Sequence, residues 1–78
     1  MPDMQHRISL EVNDMPGVLV RVAQIFDRRG CNISFVHVDH PKDQPWSHIM
    51  IIASNITRID QIKHQLEKLV DVHQVKID

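Results

Sequence analysis

Hydrophobic and polar residues alternate over residues 6–12, where Ile8, Leu10 and Val12 share one side of the segment. A period of two predicts a β-strand with one buried face. Over residues 17–29 the spacing changes to three and four, which predicts an amphipathic helix. The apolar stripe of that helix consists of Val18, Leu19, Val22, Ala23, Ile25 and Phe26. Gly30 follows directly, and a glycine at this point is typical of a left-handed helix stop.

The remainder of the chain predicts two strands, a second helix and a final strand. Residues 31–39 are rich in β-branched and aromatic side chains, as are residues 46–54, and both segments favour strands. The segment between them, residues 40–45, holds two prolines and predicts a loop. Helical spacing returns over residues 58–70. Val72, Val75 and Ile77 then predict a fourth strand over residues 71–77.

The order βαββαβ, in which the second half repeats the pattern of the first, is typical of two split βαβ units. We therefore predict an α+β fold of the ferredoxin-like type, with a four-stranded antiparallel sheet in the order 4-1-3-2 and both helices on one face. The strand over residues 31–39 then lies at an edge. No proline or lysine interrupts Ile33 to Val38. We expect this edge to pair with a second copy of the chain, which forms a homodimer.

The chain has 78 residues, of which 42% are hydrophobic and 24% charged, and a net charge of −1. This length predicts a single domain over residues 1–78, with its core over about 6–77. The charge balance argues against a nucleic-acid partner, and no apolar run is long enough to cross a membrane. The single cysteine, Cys31, and the polar N-terminus favour the cytoplasm.

The turn before the first helix is the strongest candidate for a binding site. If Pro16 occupies the first helical position, the free N–H groups of the helix point outward, and Gly17 lets a small anion approach them. Asp14 adds a carboxylate that suits an ammonium group. Together these groups suit a free amino acid, although an ordinary strand-to-helix turn explains the same residues.

The sequence shows no catalytic arrangement of residues. No histidine and acid accompany Cys31, and neither paired carboxylates nor a glycine-rich phosphate loop is present, so we expect no catalytic residues. Arg28 and Arg29 suit a phosphate contact, but a solvated helix end is the favoured explanation.

The hairpin over residues 31–54 holds a second group of candidates. A hairpin that is symmetric about the 42–43 bond places His37 opposite His48. Two imidazoles supply half of a zinc site, but the sequence shows no third ligand nearby, so no metal is expected. The same register places Phe35 opposite Met50, with Ile52 nearby. These three residues are either covered by the core or the dimer, or form an apolar docking patch.

Three segments resemble a known family. They are Asp14–Leu19 (DMPGVL), Phe26–Ile33 (FDRRGCNI) and Gln65–Val72 (QLEKLVDV). With the sequence around Ser47, they resemble the ACT domain, and more narrowly the regulatory small subunit of acetohydroxyacid synthase (acetolactate synthase). The resemblance extends over residues 7–77.

This resemblance implies a regulatory, non-catalytic protein that activates a large catalytic subunit and senses a branched-chain amino acid such as valine. It implies side-by-side dimers joined through the second strand, with the ligand at the seam. Asp14, Gly17 and Val18 of one copy would form one side of the pocket, and Asn32 and Ile33 of the other copy the second side. Thiamine diphosphate, magnesium and flavin would belong to the catalytic subunit, so this chain needs no cofactor.

Two departures from the family pattern keep an alternative open. The family usually has asparagine where Asp14 stands, and many members carry another domain, whereas this chain ends at Asp78. We therefore expect either a short form of the small subunit or a free-standing amino-acid-binding ACT module that regulates another protein. A small enzyme or metal-binding protein is the third alternative, and turnover or bound zinc would distinguish it.

Overall fold

The six elements occur in the order that the sequence predicts. A computed structural model describes residues 5–78, and its elements are β1 (His6–Asn13), α1 (Val18–Arg28), β2 (Asn32–Asp39), β3 (Trp46–Ser54), α2 (Ile59–Glu67) and β4 (Val72–Ile77). The strands form one sheet in the order β2-β3-β1-β4 with antiparallel neighbours throughout, which confirms the predicted topology. Within residues 5–78, no helix is long and apolar enough to span a membrane.

The core lies between one face of the sheet and the two helices. Alternate residues of β1, namely Ile8, Leu10 and Val12, are buried against Ile49 and Ile51 of β3, as the period of two predicts. The helices contribute these fully or almost fully buried side chains: Val18, Val22, Ile25, Phe26, Ile62 and Leu66. Ala53 of β3, Ile56 after β3 and Val75 of β4 complete the core. Among the described residues, neither helix covers the opposite face of the sheet, where Phe35, Met50 and Ile52 are partly or largely accessible.

Helix ends differ from the predictions by one to three residues. Helix α1 begins at Val18, so Pro16 lies in the preceding turn and not at the first helical position. Gly30 has a φ of 70°, which confirms the left-handed stop. Helix α2 ends at Glu67 because tight turns return the chain to β4. The predicted extension of α2 to Val70 is therefore wrong, and that side chain is 91% exposed.

The predicted register of the β2–β3 hairpin is wrong by two residues. His37 lies opposite Met50 and His48 opposite Asp39, while Phe35 lies opposite Ile52. The proposed histidine pair is therefore not formed. The reason is that the first two residues of β3 pair only with β1 and extend past the end of β2, which moves the centre of the hairpin.

A bulge between Ile33 and Phe35 affects the edge strand further. It takes up one residue of β2 relative to β3. As a result Ile33 faces the helices with Ala53, whereas Phe35 faces the open side with Ile52. A bulge of this kind re-aims side chains within a strand. The patch residues Phe35, Met50 and Ile52 therefore share the open face even though their pairing differs from the predicted one.

Candidate functional site

A small cleft lies where β1 ends and α1 begins, beside the far end of β2. Its volume is about 80 Å³, and it is lined by Val12, Asn13, Asp14, Met15, Val18, Leu19, Val38, Ser47 and Ile49. Two of the predicted ligand-binding residues, Asp14 and Val18, lie on its wall. The sheet order places the end of β2 in the same wall, since β3 connects β1 to β2.

The turn that opens this cleft depends on Gly17. Its φ is 83°, a left-handed conformation in which an L side chain is strained. The Val18 amide donates a hydrogen bond of 3.3 Å to the Met15 carbonyl, and the Arg21 amide donates to the Gly17 carbonyl at 3.0 Å. Among residues 5–78 the Gly17 amide donates no backbone hydrogen bond. That amide can bind an anion directly, whereas the Val18 amide has to give up a long bond first.

His40 is a neighbour of this site that the sequence did not indicate. Its Nδ1 atom lies 3.1 Å from the hydroxyl oxygen of Ser47 and 3.8 Å from a carboxylate oxygen of Asp14. Asp14 and His40 are both exposed, whereas Ser47 is buried. Both contacts use the same ring nitrogen, so the three residues do not form a proton relay.

The turn is attached to the rest of the fold through Asp71. Arg21 donates to one carboxylate oxygen of Asp71 at 2.6 Å, the Asn13 side-chain amide donates to the other at 3.3 Å, and the Asn13 main-chain amide donates to the Asp71 carbonyl at 2.8 Å. These hydrogen bonds, from Asn13 first and Arg21 second, lower the pKa of Asp71. The carboxylate therefore stabilises the fold at neutral pH, and this contribution disappears as the pH falls through the lowered pKa.

The other two predicted ligand residues lie at the opposite end of β2. Asn32 is exposed opposite Ser54, whereas Val38, in the cleft, lies opposite Ile49. Six residues of extended strand separate Asn32 from Val38, a distance of roughly 20 Å. One copy of the chain therefore brings together Asp14, Gly17 and Val18, but not Asn32 and Ile33. The predicted pocket requires these two residues from a second copy.

Gly17→Ala is expected to destabilise the fold by about 1–2 kcal/mol, because a Cβ atom is strained at a positive φ. The new atom would also lie 3.0 Å from a guanidinium nitrogen of Arg21, which would have to shift relative to Asp71. Gly30→Ala is the matched control, since its φ is also positive but nothing lies within 4 Å of the added atom.

Urea denaturation at pH 7 and pH 3 measures both effects. Both variants should be less stable than the parent chain at pH 7. The stability of Gly17→Ala should change less between the two pH values, because this variant disturbs the ion pair between Arg21 and Asp71. Equal pH dependence in the two variants would contradict the role of Arg21.

The fold and this turn define an ACT domain, a small βαββαβ unit whose strand-to-helix turn faces an open sheet edge. Residues 8–74 match the family model described as the AHAS small subunit-like ACT domain, where AHAS is acetohydroxyacid synthase. The chain belongs to this family.

Relatives of known name agree with this assignment. The chain is 41% identical over 71 residues to the acetolactate synthase small subunit of Mycobacterium leprae, covering 90% of this chain and 42% of the relative. It is 39% identical over 72 residues to the chloroplastic acetolactate synthase small subunit 1 of Nicotiana plumbaginifolia, covering 91% of this chain and 16% of the relative. The crystal structure of the acetolactate synthase small subunit from Thermotoga maritima superposes with a TM-score of 0.81 at 36% identity, covering 95% of this chain and 47% of that one.

The chain thus spans less than half the length of each of these relatives. The comparisons therefore assign the ACT domain to its family.

Proposed function

We propose that this chain is the ACT domain of a regulatory, non-catalytic small subunit of acetohydroxyacid synthase, which activates the catalytic subunit and senses a branched-chain amino acid such as valine. The observation that carries this proposal is the family match over residues 8–74. The Gly17 turn and the small cleft next to it support the sensing role. Among residues 5–78 the Gly17 amide donates no backbone hydrogen bond and so suits a carboxylate, and Asp14 in the cleft wall suits an ammonium group.

The proposed dimer forms through the outer edge of β2. Val36 and Val38 are 42% and 48% exposed on the helix side of this strand, and Leu19 of α1 is exposed beside them. An apolar edge strand without proline or lysine favours pairing with another strand. A second copy covers these side chains by symmetric antiparallel pairing, which continues the sheet from one copy into the next.

The register of this pairing follows from the side-chain faces of β2. If the two β2 strands pair antiparallel about Val36, Phe35 of one copy lies opposite His37 of the other. The bulge between Ile33 and Phe35 then leaves Ser34 without a partner residue in the other copy. Ile33 of one copy consequently meets Val38 of the other, and both face the helices. Since Val38 lines the cleft beside Asp14, the second copy would deliver Ile33 and Asn32 to that cleft. The proposed pocket is completed in this way.

In the proposed complex each group has a physical role. The Gly17 amide and the N-terminus of α1 bind the ligand carboxylate, Asp14 binds the ammonium group, and Asn32 offers both a donor and an acceptor. Ile33 packs against a branched aliphatic side chain. The ligand favours the dimer geometry that holds both halves of the pocket together, and a differential affinity of about 1–3 kcal/mol is enough to regulate an attached enzyme.

The open face of the sheet offers a surface for the catalytic subunit. Phe35 is 45% exposed there, opposite the half-buried Ile52 and beside Met50. We propose that this patch contacts the catalytic subunit, in which the thiamine diphosphate, magnesium and flavin would reside. Cytoplasmic localisation and a single domain over residues 1–78 remain predictions of this proposal.

Reconstitution tests the proposed function. Adding the purified chain to an acetohydroxyacid synthase catalytic subunit is expected to raise its activity, and valine, leucine or isoleucine should reduce that gain. Calorimetric titration of the chain alone with each amino acid measures the sensing step. Binding without stimulation would favour the free-standing amino-acid-binding module that regulates another protein. If the chain neither bound an amino acid nor stimulated the catalytic subunit, the proposal would be refuted.

A double variant, Phe35→Ser with Met50→Ser, tests the docking patch. It is expected to keep its fold and dimer but to lose co-purification with the catalytic subunit, because the apolar contact is gone. Val70→Ser is the matched control, since Val70 is a 91% exposed apolar residue outside the patch. If the double variant co-purifies as well as this control, the patch is not the docking surface.

A further inference from the structure

An open cavity lies between the C-terminal end of α1 and the beginning of α2. Its volume is about 490 Å³, within the range of small-molecule sites. Ile25 and Ile62, both buried, contribute apolar lining. Three arginines also line the cavity, Arg28, Arg29 and Arg58, and within the described part of the chain no aspartate or glutamate does. This cavity is separate from the cleft beside Gly17, with which it shares no lining residue.

The positive charge at this cavity is only partly compensated. Arg29 donates to the side-chain oxygen of Gln61 at 2.6 Å, a neutral acceptor that leaves its charge in place. Arg58 lies 3.5 Å from Asp60, but both side chains are more than half exposed, so solvent weakens that pair. Within residues 5–78, Arg28 makes neither a salt bridge nor a side-chain hydrogen bond. Two to three guanidinium groups are thus free to bind an anion from the rim.

The three arginines come together only in the tertiary structure. Arg28 and Arg29 end α1, whereas Arg58 lies about 30 residues later at the N-cap of α2. If Arg28 and Arg29 only formed a solvated end of α1, neither the cavity beside them nor the presence of Arg58 in its wall would be explained. Arginine binds phosphate oxygens through two parallel hydrogen bonds, and the apolar lining suits the non-polar body of a ligand.

We propose that this cavity binds an organic phosphate, with the phosphate groups held by Arg28, Arg29 and Arg58 and the body of the molecule resting on Ile25 and Ile62. A small molecule is favoured over a nucleic acid because the arginines surround a concave cavity and do not extend along a surface. The proposal does not depend on the amino-acid site or on the catalytic partner, since all of its residues belong to one copy.

Titration of the ¹⁵N-labelled full chain with ADP, followed by NMR, tests the proposal. Saturable shifts are expected at Arg28, Arg29, Cys31, Arg58 and Ile62. Pyrophosphate, which lacks the body, and adenosine, which lacks the phosphates, should each bind more weakly than ADP. Shifts spread over the whole surface, or no saturation at millimolar ADP, would overturn the proposal. Equal affinity for pyrophosphate and ADP would overturn the role of the isoleucines and indicate an inorganic anion site.

Arg28→Gln and Arg58→Gln are each expected to weaken ADP binding by about tenfold or more, because each removes a charged hydrogen-bond donor. Arg7→Gln is the matched control, since Arg7 is an exposed arginine on β1, opposite Ile52. It should bind ADP like the parent chain. An equal loss of ADP affinity in all three variants would mean that binding depends only on the net charge of the chain, and it would overturn the proposal. Thermal melting of each variant establishes that it is folded.

Discussion

Phe26→Ala is expected to lower the free energy of unfolding by about 3–5 kcal/mol. Phe26 is 0% exposed and is the largest fully buried side chain, packed where α1 meets the sheet. A chain of this length has a total stability of roughly 4–12 kcal/mol, so this single loss removes a large part of it. Urea denaturation followed by circular dichroism measures the change. We expect the variant to be partly unfolded even without urea if the parent lies at the lower end of that range.

The second phenylalanine is the matched control for this experiment. Phe35 is 45% exposed on the open face, so Phe35→Ala should change the stability of the monomer by no more than about 0.5 kcal/mol. The same chemical change is made at both positions, and only burial differs. Similar losses in the two variants would contradict the described core.

Replacing both Val36 and Val38 with lysine is expected to weaken the proposed dimer by about a hundredfold or more. In the proposed register the two copies of Val36 meet at the symmetry axis, so the change places like charges directly opposite each other. Binding of an amino acid should be lost with the dimer, because Asn32 and Ile33 no longer reach the cleft. Sedimentation velocity over a range of concentrations and calorimetry measure the two losses.

Val70→Lys controls for the added charge. Val70 is 91% exposed in the connection between α2 and β4, next to the opposite edge of the sheet. It should leave the dimer intact. If the β2 double variant remains dimeric, the second strand is not the interface. If it is monomeric but still binds an amino acid with the parent affinity, the pocket is complete within one copy and the shared-site proposal is refuted.

The hydrophobic pattern was sufficient to predict the elements and their order in the sheet. Ile8, Leu10 and Val12 are buried as their alternation requires, since a strand with one covered face has a side-chain period of two. The helix ends were less predictable. Backbone hydrogen bonds decide where α2 stops, and Val70, which fits the apolar stripe, lies outside the helix.

The hairpin register and the neighbours of the site were not predictable from the chain alone. The offset of β2 depends on how far β3 continues along β1, which is a contact with a third strand. The contact of His40 with Asp14 joins residues that lie 26 positions apart in the chain, and no local pattern indicates it. Likewise, nothing in the sequence near Arg28 indicates that Arg58 will share its cavity.

By itself, the sequence determined the α+β fold, the family motifs and the Gly17 turn, because each depends on residues close together in the chain. Only the tertiary structure decided the strand register, the bulge at β2, the Asp14–His40 contact and the arginine cavity. These features join residues that are distant in the sequence, and their geometry is set by packing among several elements at once, which no local pattern encodes.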